Sequence, residues 1–166
     1  MQKDYPRPQL YRENWTDLNG KWRFLFDDED RGEREGWYER AFEEYREITV
    51  PFTYETQASG IGESALHPVV WYQRDIAWEA SCRRTVLHFE GVDYQAKVWI
   101  NGRCAGGHTG GYARFSLDVT AYLVPGRNIV TVRAQDSRSC VQPRGKQRWK
   151  AENFGCWYVQ STGIWK

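Results

Sequence analysis

Apolar and polar residues alternate with a period of two in several short segments of this chain, and long segments with a helical period are nearly absent. Successive side chains of a strand point to opposite faces, so this alternation predicts half-buried β-strands. Short apolar runs at residues 86–89 and 129–134 predict two further strands. The positions that share a face are Trp22, Phe24 and Phe26; Ile48 and Val50; Val70, Tyr72, Arg74, Ile76 and Trp78; Ala96, Val98 and Ile100; and Phe115, Leu117 and Val119.

Turn signals separate these segments. Asn101-Gly102 is the strongest of them, because both central residues of a type I′ hairpin turn need a positive φ. Pro125-Gly126 turns the chain into the run at 129–134. Short strands with turns roughly every 8–15 residues predict an all-β fold, a jelly-roll β-sandwich, and 166 residues fit a single domain. The acidic segment 27–47 breaks the pattern, and we interpret it as a solvated loop with one helical turn.

The charge is nearly balanced, with 23 Lys and Arg against 22 Asp and Glu and a net charge of +1. Proteins that bind nucleic acids or anionic membranes carry a clear basic excess, so neither partner is expected. No apolar run approaches the roughly 20 residues that cross a bilayer. The polar N-terminus also lacks the pattern of a signal peptide, and these features together predict a cytoplasmic protein.

Residues with catalytic or metal-binding chemistry form no recognisable motif. The four cysteines, at positions 82, 104, 140 and 156, make no CxxC pair and are accompanied by three histidines, so no metal site or cofactor is expected. No serine or cysteine stands in a nucleophile motif. No two carboxylates are singled out as the facing pair that glycoside hydrolysis requires. We therefore predict no catalytic residue in this chain.

The loop at residues 142–149 is the strongest candidate for binding. Arg144, Lys146 and Arg148 offer donors, Gln142 and Gln147 offer two-sided amides, and Trp149 offers a flat apolar face. Sugar recognition uses this mixture, since hydroxyls need planar donors and acceptors while the C–H face of a pyranose packs on a ring. The same residues also suit a solvated basic loop that is anchored by one buried Trp. The residue types alone leave both interpretations open.

Several motifs occur together in one order, and in that order they resemble the N-terminal sugar-binding domain of glycoside hydrolase family 2, the group of β-galactosidases, β-glucuronidases and β-mannosidases. The resemblance covers nearly the whole chain, and its most specific stretch is residues 89–102. The motifs are Tyr5-Pro6-Arg7-Pro8, Asn19-Gly20-Lys21-Trp22-Arg23-Phe24, Ile48-Thr49-Val50-Pro51-Phe52, Val70-Trp71-Tyr72-Gln73-Arg74, Phe89-Glu90-Gly91-Val92-Asp93-Tyr94-Gln95-Ala96-Lys97-Val98-Trp99-Ile100-Asn101-Gly102, Gly106-Gly107-His108 through Tyr112, Phe115-Ser116-Leu117-Asp118-Val119-Thr120, Gln142-Pro143-Arg144-Gly145-Lys146-Gln147 and Thr162-Gly163-Ile164-Trp165.

The resemblance implies a jelly roll of the galactose-binding type and a larger enzyme, in which an immunoglobulin-like sandwich and a TIM barrel follow this domain. In the family both catalytic glutamates lie in the barrel, so no residue here inherits a catalytic role and the isolated chain is expected to be inactive. The implied enzyme is β-galactosidase-like and hydrolyses terminal β-glycosides with retention. Its implied partners are a carbohydrate substrate, the remaining domains of the polypeptide and, in the family, further copies of the enzyme.

Two positions depart from the family pattern. Some members carry an Asp that touches the substrate six residues before the Gly-Ile pair, and the matching residue here is Trp157. We therefore expect stacking by Trp157 or Trp149 in place of that polar contact. Thr109 stands where relatives often have Glu, so no role of that carboxylate is carried over.

Two alternatives remain beside a domain that shapes the sugar pocket of the barrel: a stand-alone carbohydrate-binding module and a purely structural, buttressing domain. In the family the Gly163-Ile164 motif leads into another strand of the same jelly roll. Residues 1–166 are thus predicted to be one domain that is truncated near its C-terminal strand. We expect an unpaired sheet edge at that point.

Overall fold

The computed structural model describes residues 12–80, 84–138 and 141–166. The Tyr5-Pro6-Arg7-Pro8 motif, Cys82 and Cys140 lie outside the described residues. Regular structure in the described part consists of strands and of three short 3₁₀ turns, at Trp37–Glu39, Gln57–Ser59 and Thr120–Tyr122. The strands are β1 (Gly20–Phe26), β2 (Arg46–Val50), β3 (Val69–Trp78), β4 (Val86–Phe89), β5 (Val92–Asp93), β6 (Gln95–Ile100), β7 (Arg103–Thr109), β8 (Phe115–Asp118), β9 (Gly126–Gln135) and β10 (Gly163–Ile164).

The strands form one large sheet and two short pairs. The large sheet has the order β2-β1-β3-β9-β6-β7, and every neighbouring pair in it is antiparallel. Strand β4 pairs with β8, and β5 pairs with β10, both antiparallel. Apolar residues of these short pairs pack against one face of the large sheet. The predicted all-β, jelly-roll sandwich is confirmed.

The main core follows the alternation of the sequence. Phe24, Tyr72 and Val98 point inward from three strands of the large sheet and are fully buried. Phe89 of β4 and Ile164 of β10 close the core from the other layer. The neighbouring inward residues form edge-to-face aromatic contacts, such as Phe24 against Tyr72 at 5.1 Å between ring centroids.

A second apolar cluster lies on the opposite face of the large sheet, where Trp71 and Trp99 stack at 5.3 Å between centroids. Residues 27–45, the part of the acidic segment that precedes β2, cover this cluster. The Asp27 carboxylate accepts hydrogen bonds of 2.9 Å from the Trp71 indole and from the backbone N–H of Gly32. The expected helical turn is present, but its aromatic side chains pack on the sheet, because Trp37 contacts Trp71. The interpretation of the segment as merely solvated was therefore wrong.

The hairpin predicted at Asn101-Gly102 joins β6 to β7, and its two residues have φ values of 51° and 78°. The positive φ values agree with the turn chemistry that the sequence indicated. The Asn101 side chain also accepts a hydrogen bond of 2.9 Å from the N–H of Ile129 at the start of the β9 pairing. The turn is thereby fixed to the centre of the large sheet.

The last described residues return to the sandwich. Gly163 pairs with Asp93 and Ile164 with Val92, which completes the β5–β10 ladder. Trp165 remains 36% exposed and donates its indole N–H to the Gly111 carbonyl at 2.8 Å. Within the described chain β10 pairs with β5 alone. The truncation of the domain near its C-terminal strand stays a prediction.

Candidate functional site

The six candidate binding residues lie in the loop end, which we define as the described residues 136–138 and 141–164. The loop end follows β9 in the chain and ends with β10. Its two halves are joined by backbone hydrogen bonds, from Arg148 N–H to the Tyr158 carbonyl at 2.8 Å and from Tyr158 N–H to the Lys146 carbonyl at 3.0 Å. The structure thus brings Lys146, Trp149 and Trp157 into one substructure.

Asp136, the residue that follows β9, organises the first half of the loop end. It is 1% exposed, and its Oδ1 accepts hydrogen bonds from Gln142 and, at 3.2 Å, from Arg144, which is 7% exposed. Its Oδ2 accepts the Thr162 hydroxyl at 3.3 Å. Burial raises the pKa of Asp136, and the positive charge of Arg144 opposes that shift. Gln142 and Arg144 therefore serve an internal network.

Gln147 is also committed internally. Its amide nitrogen donates to Asp93 Oδ2 at 2.6 Å, and its amide oxygen accepts the backbone N–H of Ser161 at 3.0 Å. Burial raises the pKa of Asp93 to about 6, while the Gln147 bond lowers it and the nearby Asp136 raises it further. The amide thus bridges β5 to the residues just before β10.

Arg148, the third basic residue that the sequence indicated as a donor of this loop, is a second buried cation at 8% exposure. Its guanidinium donates to the Ser64 carbonyl at 2.7 Å, to Asn153 Oδ1 at 3.1 Å and to Gln160 Oε1 at 3.4 Å. All three acceptors are neutral. No signal in the sequence separates Arg148 from Lys146, because both are basic residues of one polar loop.

Glu55 contacts the residue that immediately precedes β10, Thr162. Its Oε1 accepts the backbone N–H of Thr162 at 3.0 Å, whereas its Oε2 is buried with no hydrogen-bond partner in the described chain. Burial raises the pKa of Glu55 to about 7. The hydroxyl of Tyr72 is likewise buried without a described partner, and a Cβ at Gly163 would overlap it. Gly163 has a φ of 95°, so both space and backbone geometry require glycine there.

Three rings form a compact aromatic cluster at the outer part of the loop end. Phe154 stacks on Trp157 at 5.3 Å between centroids, and Trp149 meets both rings edge-on at 5.0 and 5.1 Å. The Lys150 ammonium lies 4.5 Å from the Phe154 centroid. All three rings are partly exposed. Phe154 was missed by the sequence reasoning, although it stands near Trp149 and Trp157 in the chain.

The loop end has two kinds of side chain: polar groups that are already bonded inside the protein, and groups that are partly exposed to solvent. The polar groups of Gln142, Arg144 and Gln147 already bond to protein, whereas the rings of Trp149 and Trp157 and the exposed Lys146 face outward in part. Within the described ranges no three side chains are grouped to hold a metal ion. No helix in those ranges is long and apolar enough to cross a membrane.

Comparison with known proteins agrees with this architecture. A β-glucuronidase of Paenibacillus borealis is 33% identical over 135 residues, which are 77% of this chain and 22% of the relative. A β-galactosidase of Thermoanaerobacter pseudethanolicus is 31% identical over 126 residues, or 74% of this chain and 15% of the relative. The solved β-glucuronidase of an uncultured Clostridium species matches with a TM-score of 0.64 and 31% identity over 74% of this chain and 22% of its own.

The chain thus spans about a fifth of the length of such relatives. Residues 15–149 match the family described as "Glycosyl hydrolases family 2, sugar binding domain", which is most of the sandwich and the first half of the loop end. The chain belongs to the sugar-binding domain family of the family 2 glycosyl hydrolases.

Proposed function

We propose that this chain is the non-catalytic N-terminal domain of a retaining β-glycosidase and helps to shape the sugar pocket of that enzyme. The family match over residues 15–149 carries the proposal. Asp136 and Asp93 are buried and bonded to Arg144 and Gln147, and the proposal assigns both carboxylates to the scaffold of the domain. A retaining enzyme needs two carboxyl groups about 5 Å apart on either side of the scissile bond.

The substrate of the enzyme is proposed to be a terminal β-glycoside. The sequence motifs favour a β-galactoside, whereas two of the relatives named above are β-glucuronidases and one is a β-galactosidase. These names support hydrolysis of β-glycosides in general. The choice between a neutral and an anionic sugar is a matter for direct assay. Assembly of the enzyme into oligomers and a cytoplasmic location also stay predictions.

Within this function the six candidate residues take different parts. Trp149 and Trp157 are proposed to contact the sugar through their ring faces, with Lys146 as a polar neighbour. Gln142, Arg144 and Gln147 are proposed to hold the loop end in place, since their donors and acceptors are used by Asp136, Asp93 and Ser161. Rigid support of this kind keeps a binding surface in one geometry.

Chromogenic assays test the proposal. The polypeptide from the uninterrupted gene and the 166-residue chain are each assayed with p-nitrophenyl β-galactoside and p-nitrophenyl β-glucuronide. The longer polypeptide should hydrolyse one of them, and the 166-residue chain should hydrolyse neither. Turnover by the short chain above background, failure of the long polypeptide on both substrates, or a gene that encodes no further domain would contradict the proposal.

A second candidate function is a stand-alone carbohydrate-binding module, which the partly exposed aromatic cluster favours. Such modules bind sugars on aromatic surfaces without further domains. Calorimetry of the 166-residue chain with methyl β-galactoside, methyl β-glucuronide and short oligosaccharides distinguishes the two. Millimolar or tighter binding by the short chain favours the module, and binding that requires the longer polypeptide favours the pocket-shaping domain.

A further inference from the structure

Both ring nitrogens of His67, which lies just before β3, are next to carboxylates. Its Nδ1 is 2.8 Å from Asp28 Oδ1, and its Nε2 is 3.2 Å from Glu63 Oε1. The His67 side chain is 12% exposed, and its ring stacks on Phe26 at 3.7 Å between centroids. The imidazole is thus held in place between two acids that come from different segments of the chain.

This arrangement requires a particular form of the ring. Only the imidazolium carries a hydrogen on both nitrogens, so only the charged ring can donate to Asp28 and Glu63 at the same time. A neutral ring would turn one bare nitrogen lone pair toward a carboxylate oxygen, which is a repulsive contact. Loss of the proton from His67 must therefore break one of the two hydrogen bonds.

The groups around this pair of contacts are consistent with the charged ring. Arg46 of β2 donates to Glu63 Oε2 at 3.1 Å and packs over Phe26. The bonds from His67 and Arg46 hold the pKa of Glu63 below its usual range, so this acid is available as a carboxylate. Tyr54 meets the imidazole edge-on at 5.5 Å between centroids, and its hydroxyl accepts the His67 backbone N–H. Two carboxylates thus face the ring directly, whereas the Arg46 cation is bonded to one of them.

The residues that follow Glu63 support part of the loop end. The Ser64 carbonyl accepts a hydrogen bond of 2.7 Å from the Arg148 guanidinium. The Ala65 carbonyl accepts one of 3.4 Å from the Gln160 side chain. The position of residues 63–67 is therefore coupled to the position of the loop end.

We propose that His67 is a pH-operated clamp: its protonated ring ties residues 63–67 to the segment that follows β1, and loss of the proton releases these residues and weakens their support of the loop end. Because the imidazolium alone completes the clamp, order in residues 63–67 is favoured on the acidic side of the transition and is lost as the pH rises. Histidines ordinarily change charge between about pH 5 and pH 8. The clamp does not depend on the proposed function, since it can be observed in this chain alone.

Hydrogen exchange of the 166-residue chain tests the clamp. The amides of Glu63 and His67, which donate to the Tyr54 carbonyl and hydroxyl, are followed from pH 5.5 to pH 9 and corrected for intrinsic exchange. This range lies above that of ordinary carboxyl groups. Protection should fall by about threefold to tenfold, because the hydrogen bonds are charge-assisted but their carboxylates are partly exposed. A fall of less than threefold, or an equal fall in the amides of β3 and β9, overturns the proposal.

Substitutions identify the titrating group. Glu63→Gln should keep residues 63–67 protected at high pH, because an amide can accept from a ring N–H and can also donate to a bare ring nitrogen. A merely structural role of Glu63 would instead lower protection at every pH. His67→Gln cannot ionise and should also lose the pH dependence. The matched control is His88→Gln, since His88 is an exposed histidine of β4 that contacts Ser116, and it should keep the wild-type profile. A wild-type profile in Glu63→Gln or His67→Gln, or a profile lost in His88→Gln, overturns the assignment.

A measurement on the wild-type chain keeps the proposal testable if a variant fails to fold. The ring ¹⁵N signals of His67, followed by NMR from pH 5.5 to pH 9, report directly whether one or both nitrogens carry a hydrogen. Both should be protonated wherever residues 63–67 are protected, and the ring should lose its proton at the same midpoint as the protection, within half a pH unit. A neutral ring beside a protected segment, or midpoints further apart than this, overturns the proposal.

Discussion

The main core and the loop end are both buried, but they are filled with different kinds of group. In the core, residues such as Phe24, Tyr72 and Val98 pack apolar surface between two layers of strands. In the loop end, Asp136 and Arg144 are as inaccessible as core residues, and each is fixed by named hydrogen bonds. One region is stabilised by apolar area removed from water, and the other by directional hydrogen bonds between polar side chains.

The difference predicts how each region responds to damage. Apolar burial is non-directional, so a lost side chain in the core costs stability in proportion to the area and cavity it leaves. A polar network is directional, so the loss of one member leaves its partner buried and unpaired. A truncated side chain in the core should destabilise the sandwich as a whole, whereas a truncated side chain in the loop end should first expose that end to solvent. The following variants compare the two responses.

Phe24→Ala should have the largest effect. Phe24 is fully buried and contacts Phe26, Tyr54 and Tyr72, and removal of such a ring costs about 3–5 kcal/mol. Urea denaturation followed by circular dichroism measures the free energy of unfolding. Phe52→Ala is the matched control, because Phe52 is 44% exposed, and it should cost about 1 kcal/mol or less. Equal losses in the two variants would contradict this account of the core.

Arg144→Ala should have the next largest effect, about 3 kcal/mol, since it leaves Asp136 as a buried charge without its cation. The damage should be local, and hydrogen exchange should rise in residues 142–164 before it rises in the large sheet. Arg84→Ala, the control, removes an exposed ion pair with Asp118, which water screens, so it should change stability far less than Arg144→Ala. Uniform loss of protection over the whole chain in Arg144→Ala would show that the two regions are not separable.

The fold of the sandwich was largely predictable from the sequence. Each strand of the large sheet that carries a period-two pattern, such as β3 and β6, was found where the pattern placed it. The pattern also separated the two faces, since Val98 lies in the main core and Trp99 in the second cluster. What the pattern missed is the cover over that second cluster. Because acidic residues dominate segment 27–45, its composition did not indicate that Trp37 and Phe42 pack against the large sheet.

The loop end was predictable in its location but not in its organisation. Residue types at 142–149 indicated polar contacts, and those contacts exist, but their partners are Asp93, Asp136 and Ser161 of the same chain. No local pattern relates Arg144 to Asp136 or Gln147 to Asp93, because these pairs are set by the three-dimensional return of the chain. Trp149 and Trp157 lie against each other in the structure, and stacking of either ring on a sugar stays a prediction.

Stability of the loop end should also depend on pH through Asp93. Burial raises the pKa of Asp93 from its usual 3.8 to about 6, so the folded state holds this proton more tightly than the unfolded chain. The contribution is fully present below about pH 4 and is lost as the pH rises to about 6, which amounts to about 1–3 kcal/mol. Asp93→Asn should flatten the urea-derived stability profile over this window. A wild-type profile that rises with pH between 4 and 6, with the variant unchanged, would contradict the assignment.

Trp157→Ala should have the smallest effect on stability, about 1 kcal/mol, because its ring is partly exposed and its main contacts are the neighbouring Phe154 and Trp149. Its effect on sugar contact should be larger than its effect on stability. In the longer polypeptide the value of kcat/KM for the preferred chromogenic glycoside should fall about tenfold while the melting temperature changes by a few degrees at most. Trp165→Ala is the matched control, since Trp165 is also partly exposed but lies on Gly91 and Gly111, and it should leave kcat/KM unchanged. If both variants lose activity in proportion to their loss of stability, the aromatic cluster is part of the scaffold and the outer surface of the loop end does not contact the sugar.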